Sequence, residues 1–376
     1  MTRPLRAVVI GTGWAGEGHT LAMRAGGAAV VAVCGRRAEA ARELADRLAV
    51  PAWSADWRAV LRAERPDVLC IATAAAQRRS DVVAEAATLG CHLFCDKPLA
   101  LDAAEARRVW ERTRAARVRH AYASTYLYDP SAAWITELLA GGSVGVPREI
   151  EWSQRSGRGA PAAWSWFCDI GLGGGLLNNG FTHLLGTLQR ITGGTVTAAA
   201  GDCVTERGRL PVVPGLSDFR RWRSAQVSAA AGAEAEWRAT EVEVRYRAFL
   251  LLRTAQGELP VTATCATGTP APYPPNGLRV FGERGTLVAE DVGMGAYRVF
   301  RQAPGGASPE PLPVPERLAA AQPAADPVQS RWNALARDFL ADVRGEPHAP
   351  YLTFEDGWRF QEVIDAIRHG APWREG

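Results

Sequence analysis

One side chain is chemically alone in this sequence. Of the 43 basic residues, Lys97 is the only lysine and every other is an arginine. A guanidinium stays protonated in proteins, whereas an amine can donate or accept a proton and burial can tune its pKa. Lys97, within Asp96-Lys97-Pro98, is therefore predicted to be retained for its amine chemistry. The alternative is that an arginine-biased composition left one lysine by chance.

A second candidate site is the glycine-rich turn that contains Gly11, Gly13 and Gly16. It follows a β-branched apolar run and precedes a helical pattern, which is the context in which G-x-G-x-x-G binds a dinucleotide. The glycines allow a tight turn and the close approach of a pyrophosphate, and the helix N-terminus supplies N–H donors. Ala15 and Trp14 complete this predicted cofactor turn, where Trp14 shields the cofactor or forms a simple hydrophobic lid.

The end of the second predicted strand indicates which dinucleotide is bound. An NAD enzyme usually carries Asp or Glu there to bind the ribose 2′-hydroxyl, but this chain has Arg36 and Arg37. Two guanidinium groups suit a 2′-phosphate and can stack on adenine. NADP(H) is therefore predicted as the preferred cofactor and NAD(H) as possible, unless the two arginines are only a solvated helix start.

The elements that must position these residues follow from the hydrophobic pattern. Short apolar runs alternate with helical patterns, which predicts an α/β fold with a doubly wound parallel Rossmann sheet over residues 1–122. Longer alternating strands follow, with a hairpin turn at 255–258, and predict an α+β domain with a large open, mainly antiparallel sheet over 123–376. The proline-rich stretch 302–328 is predicted to be a linker or an extended arm, and two helical patterns follow it.

A predicted helix over 176–192 carries further polar candidates. Asn179 and His183 are four residues apart, so their side chains are neighbours on adjacent turns. With Arg190 they lie opposite an apolar stripe, and for Arg190 a solvent-exposed role is preferred. The stripe consists of Leu177, Phe181, Leu184, Leu185, Leu188 and Ile191.

These motifs, in this order and spacing, resemble the Gfo/Idh/MocA family of nicotinamide-dependent oxidoreductases. The resemblance covers nearly the whole chain. It is carried by the glycine-rich turn, Ile71-Ala72-Thr73, Asp96-Lys97-Pro98, Gly173-Gly174-Gly175, Asn179 and His183.

The resemblance implies catalytic roles for three residues. Lys97 would bond the substrate oxygen that gains or loses hydride, which agrees with the stabilisation that a pre-placed ammonium gives to negative charge on oxygen. His183 would be the acid/base partner. Many members have Asp where this chain has Asn179, and a neutral amide orients the ring without adding charge. We therefore expect His183 to act as a proton donor, which favours reduction of a ketone or imine.

The remaining site predictions concern contacts with the cofactor and the substrate. Thr73, Ala74, Asp96 and Pro98 are predicted cofactor contacts, and in the family the Lys-Pro bond is commonly cis. Tyr126 is a predicted substrate contact. Trp164 and Trp166 could stack on a sugar ring, although core packing explains them equally well.

Composition narrows the possible partners and the location. The net charge of +3 is spread along the chain, which argues against nucleic acid and anionic membrane as partners. No apolar stretch reaches the roughly 18 residues of a membrane span, so a cytoplasmic location is expected. The seven cysteines are scattered without C-x-x-C, which predicts reduced thiols and no metal site. By analogy with the family, a homodimer or homotetramer is expected.

The sequence therefore predicts an NAD(P)-dependent oxidoreductase that transfers hydride between the nicotinamide and a carbonyl, alcohol, imine or amine carbon of a small polar, sugar-like substrate. Two alternatives stay open. One is a redox-neutral lyase or epimerase with a retained cofactor. The other is a non-catalytic NADP-binding sensor or partner protein.

Overall fold

The computed structural model contains two sheets, each packed against helices. It describes residues 3–73, 76, 79–157, 163–213, 216, 236–269, 275–306, 308–320 and 326–375.

The first sheet has six parallel strands in the order β3-β2-β1-β4-β5-β6. Its strands are β1 (Arg6–Ile10), β2 (Ala29–Cys34), β3 (Ala52–Ser54), β4 (Val68–Ile71), β5 (His92–Asp96) and β6 (His120–Ala123). Its helices are α1 (Trp14–Ala25), α2 (Ala38–Leu48), α3 (Trp57–Glu64), α4 (Arg79–Thr88) and α5 (Ala103–Ala116). The predicted doubly wound Rossmann sheet is confirmed, and the winding reverses between β1 and β4.

Local sequence explains these elements. Every residue of β4 is buried, as expected for a parallel strand with helices on both faces. Helix α3 begins where the Asp56 carboxylate accepts hydrogen bonds from the main-chain N–H groups of Arg58 and Ala59. Asp102 caps α5 in the same way by accepting from the N–H of Glu105.

The second sheet has nine strands in the order β14-β13-β12-β11-β7-β10-β9-β8-β15. Its strands are β7 (Pro147–Ser156), β8 (Thr195–Pro211), β9 (Trp237–Thr254), β10 (Gly257–Thr267), β11 (Gly277–Gly282), β12 (Gly285–Gly293), β13 (Ala296–Gln302), β14 (Glu310–Pro311) and β15 (Trp373–Arg374). Strands β7 and β10 are parallel, and all other neighbours are antiparallel. The predicted mainly antiparallel sheet is confirmed, including the hairpin between β9 and β10.

The helices of this half are α6 (Pro130–Ala140), α7 (Thr182–Thr192), α8 (Glu316–Ala319), α9 (Pro327–Arg344) and α10 (Phe354–His369). Short 3₁₀ turns lie at Tyr126–Tyr128, Trp166–Cys168 and Ile170–Leu172.

The segment 176–192 differs from the single regular helix that its periodicity predicts. Leu177–Phe181 forms a π-helical turn, and only then does α7 begin. Arg190 is exposed as expected, but Asn179 and His183 are buried, with 7% and 8% of their surface exposed. These two polar side chains are therefore largely shielded from water.

Parts of the proline-rich stretch pack against the chain's own second sheet. Strand β14 pairs with β13, and the carbonyl of Leu312 accepts a hydrogen bond of 3.1 Å from the indole of Trp134. The described part of this stretch is therefore held in place by contacts with the second sheet and α6 of the same chain.

Helix α9 returns to the first sheet and packs on α1. A Cβ at Gly18 would clash with the indole of Trp332, so the glycine is needed for this close approach. One apolar cluster joins the two halves of the chain across the face of the first sheet. It includes Val9, Met23, Phe94, Trp332, Leu335, Phe339 and Leu340.

Some features bear on the expectations about location and chemistry. Across the described residues, no helix is both long and apolar enough to cross a membrane. The seven cysteines carry free thiols. No group of three His, Cys, Asp or Glu side chains that could hold a metal occurs in the part of the chain that the structure describes. The cytoplasmic location and the homo-oligomer stay predictions.

Candidate active site

The carboxyl ends of neighbouring parallel strands meet at one edge of the first sheet, where the second domain faces them across a cleft. Thr73 follows β4, Lys97 follows β5 and Tyr126 comes shortly after β6. All three line the cleft together with Asn179 and His183. Sheet topology thus assembles residues that are far apart in sequence.

The glycine-rich turn forms a cradle at this edge. Gly11 has a φ of +136°, and a Cβ there would clash with the carbonyl of Ala72. A Cβ at Gly13 would meet no atom within 4 Å, so the turn is open towards the cleft at this point. Helix α1 begins after Gly13 with no side-chain cap, which leaves its N-terminus available to an anion. These features fit the pyrophosphate of a dinucleotide.

The other predicted cofactor residues flank this cradle. Trp14 and Ala15 line the cleft, and the Trp14 indole meets that of Trp332 edge-on with 5.2 Å between ring centroids. Arg36 and Arg37 are exposed and line the same cleft, and their side chains have no hydrogen bond or ion pair within the described residues. Two unpaired cations therefore lie at the end of β2.

Two predicted cofactor residues are placed differently. Gly16 lies behind the cradle, where a Cβ would clash with the Gly11 carbonyl, so it serves packing rather than contact. Pro98 is buried beside Gly173 and does not line the cleft, although its bond to Lys97 is cis as the family resemblance implies. Ala74 lies outside the described residues.

Lys97 points its ammonium at the π-helical turn. Its Nζ donates a hydrogen bond of 2.7 Å to Oδ1 of Asn179. Burial is the main cause that lowers the pKa of Lys97 to about 8; Asp96 opposes this shift and nearby Arg79 adds to it. The Asp96 carboxylate itself accepts from the main-chain N–H of Lys97 at 2.9 Å. The lysine can therefore exchange its proton close to neutral pH.

Asn179 is held in one orientation by the main chain. Its Nδ2 donates to the carbonyl of Gly175 at 2.8 Å and lies 3.4 Å from that of Gly173. These acceptors direct the amide nitrogen inwards and turn Oδ1 towards Lys97. A carboxylate in this orientation would have set an oxygen against two carbonyl oxygens. The structure thus gives a physical reason for the amide at this position.

His183 is buried between polar and aromatic neighbours. Its Nδ1 lies 3.0 Å from the hydroxyl of Ser124, which can donate to the carbonyl of Thr182 at 3.3 Å. Its ring stacks on Tyr126, with centroids 3.9 Å apart and planes 9° apart. Burial, with Lys97 and Arg331 nearby, holds the pKa of His183 well below its ordinary value. The imidazole is therefore neutral at physiological pH.

This neutral state does not support the proton donor that the sequence predicts. If Ser124 donates to Thr182, its oxygen accepts from Nδ1–H of His183 and leaves the lone pair on Nε2. In that tautomer, Nε2 can accept a proton but has none to donate.

Three polar residues near the site were not predicted. Ser124 could have been found because it directly follows β6, at the functional edge of the sheet. Arg79 and Arg331 are buried with 2% and 1% of their surface exposed, and no local pattern marks either one. Arg331 pairs with Asp129 and lies 5.5 Å from the ring centroid of Tyr126.

The predicted aromatic contacts also line the cleft. Trp164 donates from its indole to the carbonyl of Ala239 at 3.1 Å, and Arg238 lies 4.7 Å from its ring centroid. Trp166 packs edge-on against Phe167 with 6.0 Å between centroids. Both indoles are half-buried, so each combines packing with a face on the cleft.

The dinucleotide cradle and the lysine–amide–imidazole group lie in one cleft, and sequence comparison identifies the family of the chain. Residues 5–124 match the model of an oxidoreductase family with an NAD-binding Rossmann fold, and residues 133–288 match the Gfo/Idh/MocA C-terminal domain. The chain belongs to the Gfo/Idh/MocA family.

Individual relatives are more distant. D-apiose dehydrogenase of Paraburkholderia graminis is 31% identical over 38% of this chain and 38% of its own length. Levoglucosan dehydrogenase of Pseudarthrobacter phenanthrenivorans is 24% identical over 54% of this chain and 55% of its own length. The chain thus spans about half, or less, of the length of these curated relatives.

Structural comparison supports the fold over the whole chain. An oxidoreductase domain protein from Kribbella flavida superposes with a TM-score of 0.77 at 20% identity, covering 100% of this chain and 99% of the other. At this identity the similarity defines the fold.

Proposed function

We propose that this protein oxidises a secondary alcohol of a small, sugar-like substrate with NADP⁺, and catalyses the reverse reduction when product is supplied. The observation that carries the proposal is the hydrogen bond from Lys97 to Asn179 beside a neutral His183, all at the carboxyl edge of a dinucleotide-binding sheet.

Each residue of the site has a separate role in this reaction. The bound nicotinamide supplies a hydride acceptor for the carbinol carbon. Nε2 of His183 takes the hydroxyl proton as the C=O bond forms, because the imidazole is neutral and Nδ1 is engaged by Ser124. The Lys97 ammonium stabilises the negative charge that develops on the substrate oxygen. Asn179 directs that ammonium.

The neutral imidazole determines the direction that we favour. A base must be unprotonated before the reaction begins, and the lowered pKa of His183 meets this condition at neutral pH. Lys97, with a pKa of about 8, is still mainly charged there. The pair therefore combines a base and a cation in the states that alcohol oxidation requires.

The substrate class follows from the relatives and from the cleft wall. Two relatives are named as dehydrogenases of D-apiose and levoglucosan. Here the half-buried indoles of Trp164 and Trp166 line the cleft, and flat aromatic surfaces suit the apolar face of a sugar ring.

The experiment is a substrate screen of the purified full chain. Aldoses, anhydrosugars and cyclic polyols are offered with NADP⁺ or NAD⁺, and the absorbance of the reduced nicotinamide is followed. Deuterium placed on the carbinol carbon of an active substrate is expected on the reduced cofactor. Epimerised or dehydrated product without net cofactor reduction would contradict the proposal and support a redox-neutral cycle. Cofactor binding without any conversion would support a sensor.

The cofactor preference depends on Arg36 and Arg37. We expect the double variant Arg36→Ala/Arg37→Ala to lose about tenfold to hundredfold in kcat/KM for NADP⁺, since hydrogen bonds to a charged group contribute roughly 1.5–3 kcal/mol. Values for NAD⁺ should change little. The matched control is Arg42→Ala, on the exposed side of α2. A wild-type protein that prefers NAD⁺ would overturn this part of the proposal.

Asn179→Asp tests the electrostatics of the site through the pH profile. A carboxylate beside Lys97 and near His183 favours the charged form of both, so both pKa values should rise, by about one unit or more. We expect both limbs of the kcat/KM profile to move to higher pH. Gln256→Glu, in the exposed turn between β9 and β10, adds the same charge at a distance as the control. If neither limb of the profile moves, neither Lys97 nor His183 controls the pH dependence of the rate.

A further inference from the structure

Arg79, at the start of α4, carries a buried charge to which the reaction described above gives no role. Only 2% of its surface is exposed, and it forms no salt bridge with any described carboxylate. Its Nε has no hydrogen-bond partner among the described atoms. A buried cation with no carboxylate partner is costly and calls for an explanation.

The guanidinium instead bonds to main-chain carbonyls from two loops. Nη1 donates to the carbonyls of Asp96 and Pro98, which flank Lys97 on both sides. Nη2 donates to the carbonyl of Thr73 at 2.6 Å. Thr73 follows β4 and Lys97 follows β5, so one side chain ties together the two loops at the functional edge.

The place of this arginine in its helix is also unfavourable. The N-terminus of a helix carries partial positive charge, so a cation in the first turn is disfavoured. Among the described residues, Arg79 is the first of α4. The carbonyl contacts must therefore offset both the helix dipole and the loss of solvation. A residue that served only to begin the helix would have the opposite charge or none.

We propose that Arg79 is the positioning residue of Lys97: its guanidinium fixes the main chain on both sides of the lysine and directs Nζ towards Asn179 and the reacting oxygen. The inference rests on the proposed function for its catalytic consequence, but the electrostatic effect of Arg79 on Lys97 can be tested without turnover.

A second effect comes from the charge itself. The titratable groups near the Lys97 ammonium are Asp96, Arg79 and His183. Of these, Asp96 raises the pKa of Lys97 and Arg79 lowers it. Loss of the guanidinium should therefore raise the pKa of Lys97, whereas a lysine at position 79 should keep it low while losing part of the carbonyl network.

Because Lys97 is the only lysine, its side chain can be observed directly. Protein grown with lysine labelled with carbon-13 at Cε has a single lysine resonance, whose pH titration reports this pKa. We expect a midpoint near 8 in the wild type and a higher one in Arg79→Met. Arg79→Lys adds a second labelled lysine; the resonance that disappears when Lys97→Met is combined with it belongs to Lys97, and its midpoint should stay close to the wild type. Arg62→Met, which removes an exposed arginine paired with Glu85 of α4, is the matched control and should not shift.

The activity measurement completes the test. With an active alcohol substrate, Arg79→Met and Arg79→Lys should both lose about a hundredfold in kcat, the scale expected when a reacting group is displaced by about 1 Å. KM should change little, and thermal unfolding of each variant separates misfolding from misplacement. If Arg79→Met does not fold, Arg79→Lys carries the test.

The outcomes separate the two proposals. A folded Arg79→Met with wild-type titration and wild-type kcat overturns the positioning role. If the wild-type protein turns over no alcohol while Arg79→Met still raises the midpoint of Lys97, the proposed function is overturned and the electrostatic effect of Arg79 on Lys97 stands.

Discussion

Replacing Lys97 by methionine is expected to lower kcat for alcohol oxidation by about three orders of magnitude, the upper part of the range seen when one group that stabilises a developing oxyanion is lost. Methionine keeps the length and apolar stem of the side chain and removes only the ammonium. The ammonium then no longer stabilises the negative charge on the substrate oxygen. Initial rates at saturating cofactor and substrate measure the effect.

The Lys97→Met variant must be shown to keep its cofactor site. Quenching of tryptophan fluorescence by NADPH should be unchanged, because the glycine-rich turn and Trp14 lie on a different strand end. Turnover at the wild-type rate in this variant would remove the central element of the proposed mechanism.

Replacing His183 by alanine is expected to lower kcat by about two to four orders of magnitude, the contribution of a positioned general base. The wild-type profile should lose activity at acid pH only below the ordinary range of histidine, since burial lowers the pKa of this imidazole. This acid limb should disappear in the variant. Added imidazole should restore part of the rate, because the cavity left beside Tyr126 matches the ring that was removed.

His369→Ala is the matched control for His183→Ala, because His369 is exposed at the end of α10. It should leave the rate and the pH profile unchanged. An acid limb that persists in His183→Ala would assign the base to another group.

Much of the architecture could be predicted because it is encoded locally. The glycine-rich turn, the apolar strands of the first sheet and the hairpin after β9 each depend on residues that are neighbours in sequence. Lys97 could be singled out because it is the only lysine, and the role predicted for His183 came from the family resemblance. Arg36 and Arg37 could be placed at the end of a strand because that strand is encoded locally.

The geometry of the site could not be read from those patterns. The π-helical turn at Leu177–Phe181 breaks the regular periodicity and brings Asn179 to Lys97. The neutral state of His183 comes from burial against Tyr126 and from two cations supplied by distant segments. The carbonyls that accept hydrogen bonds from Arg79 belong to two separate loops. Such contacts depend on tertiary structure, which is why the sequence favoured a proton donor where the structure favours an acceptor.

The docking of α9 on α1 has a consequence for how the molecule is made. Val9, Met23 and Phe94 are translated early, yet Leu335 and Phe339, which cover them, leave the ribosome much later. A nascent N-terminal half therefore carries an apolar face that its own residues cannot bury. We therefore expect the nucleotide-binding half to complete its folding only after α9 has been synthesised. Until then its apolar face is exposed, and the nascent chain can aggregate or bind chaperones.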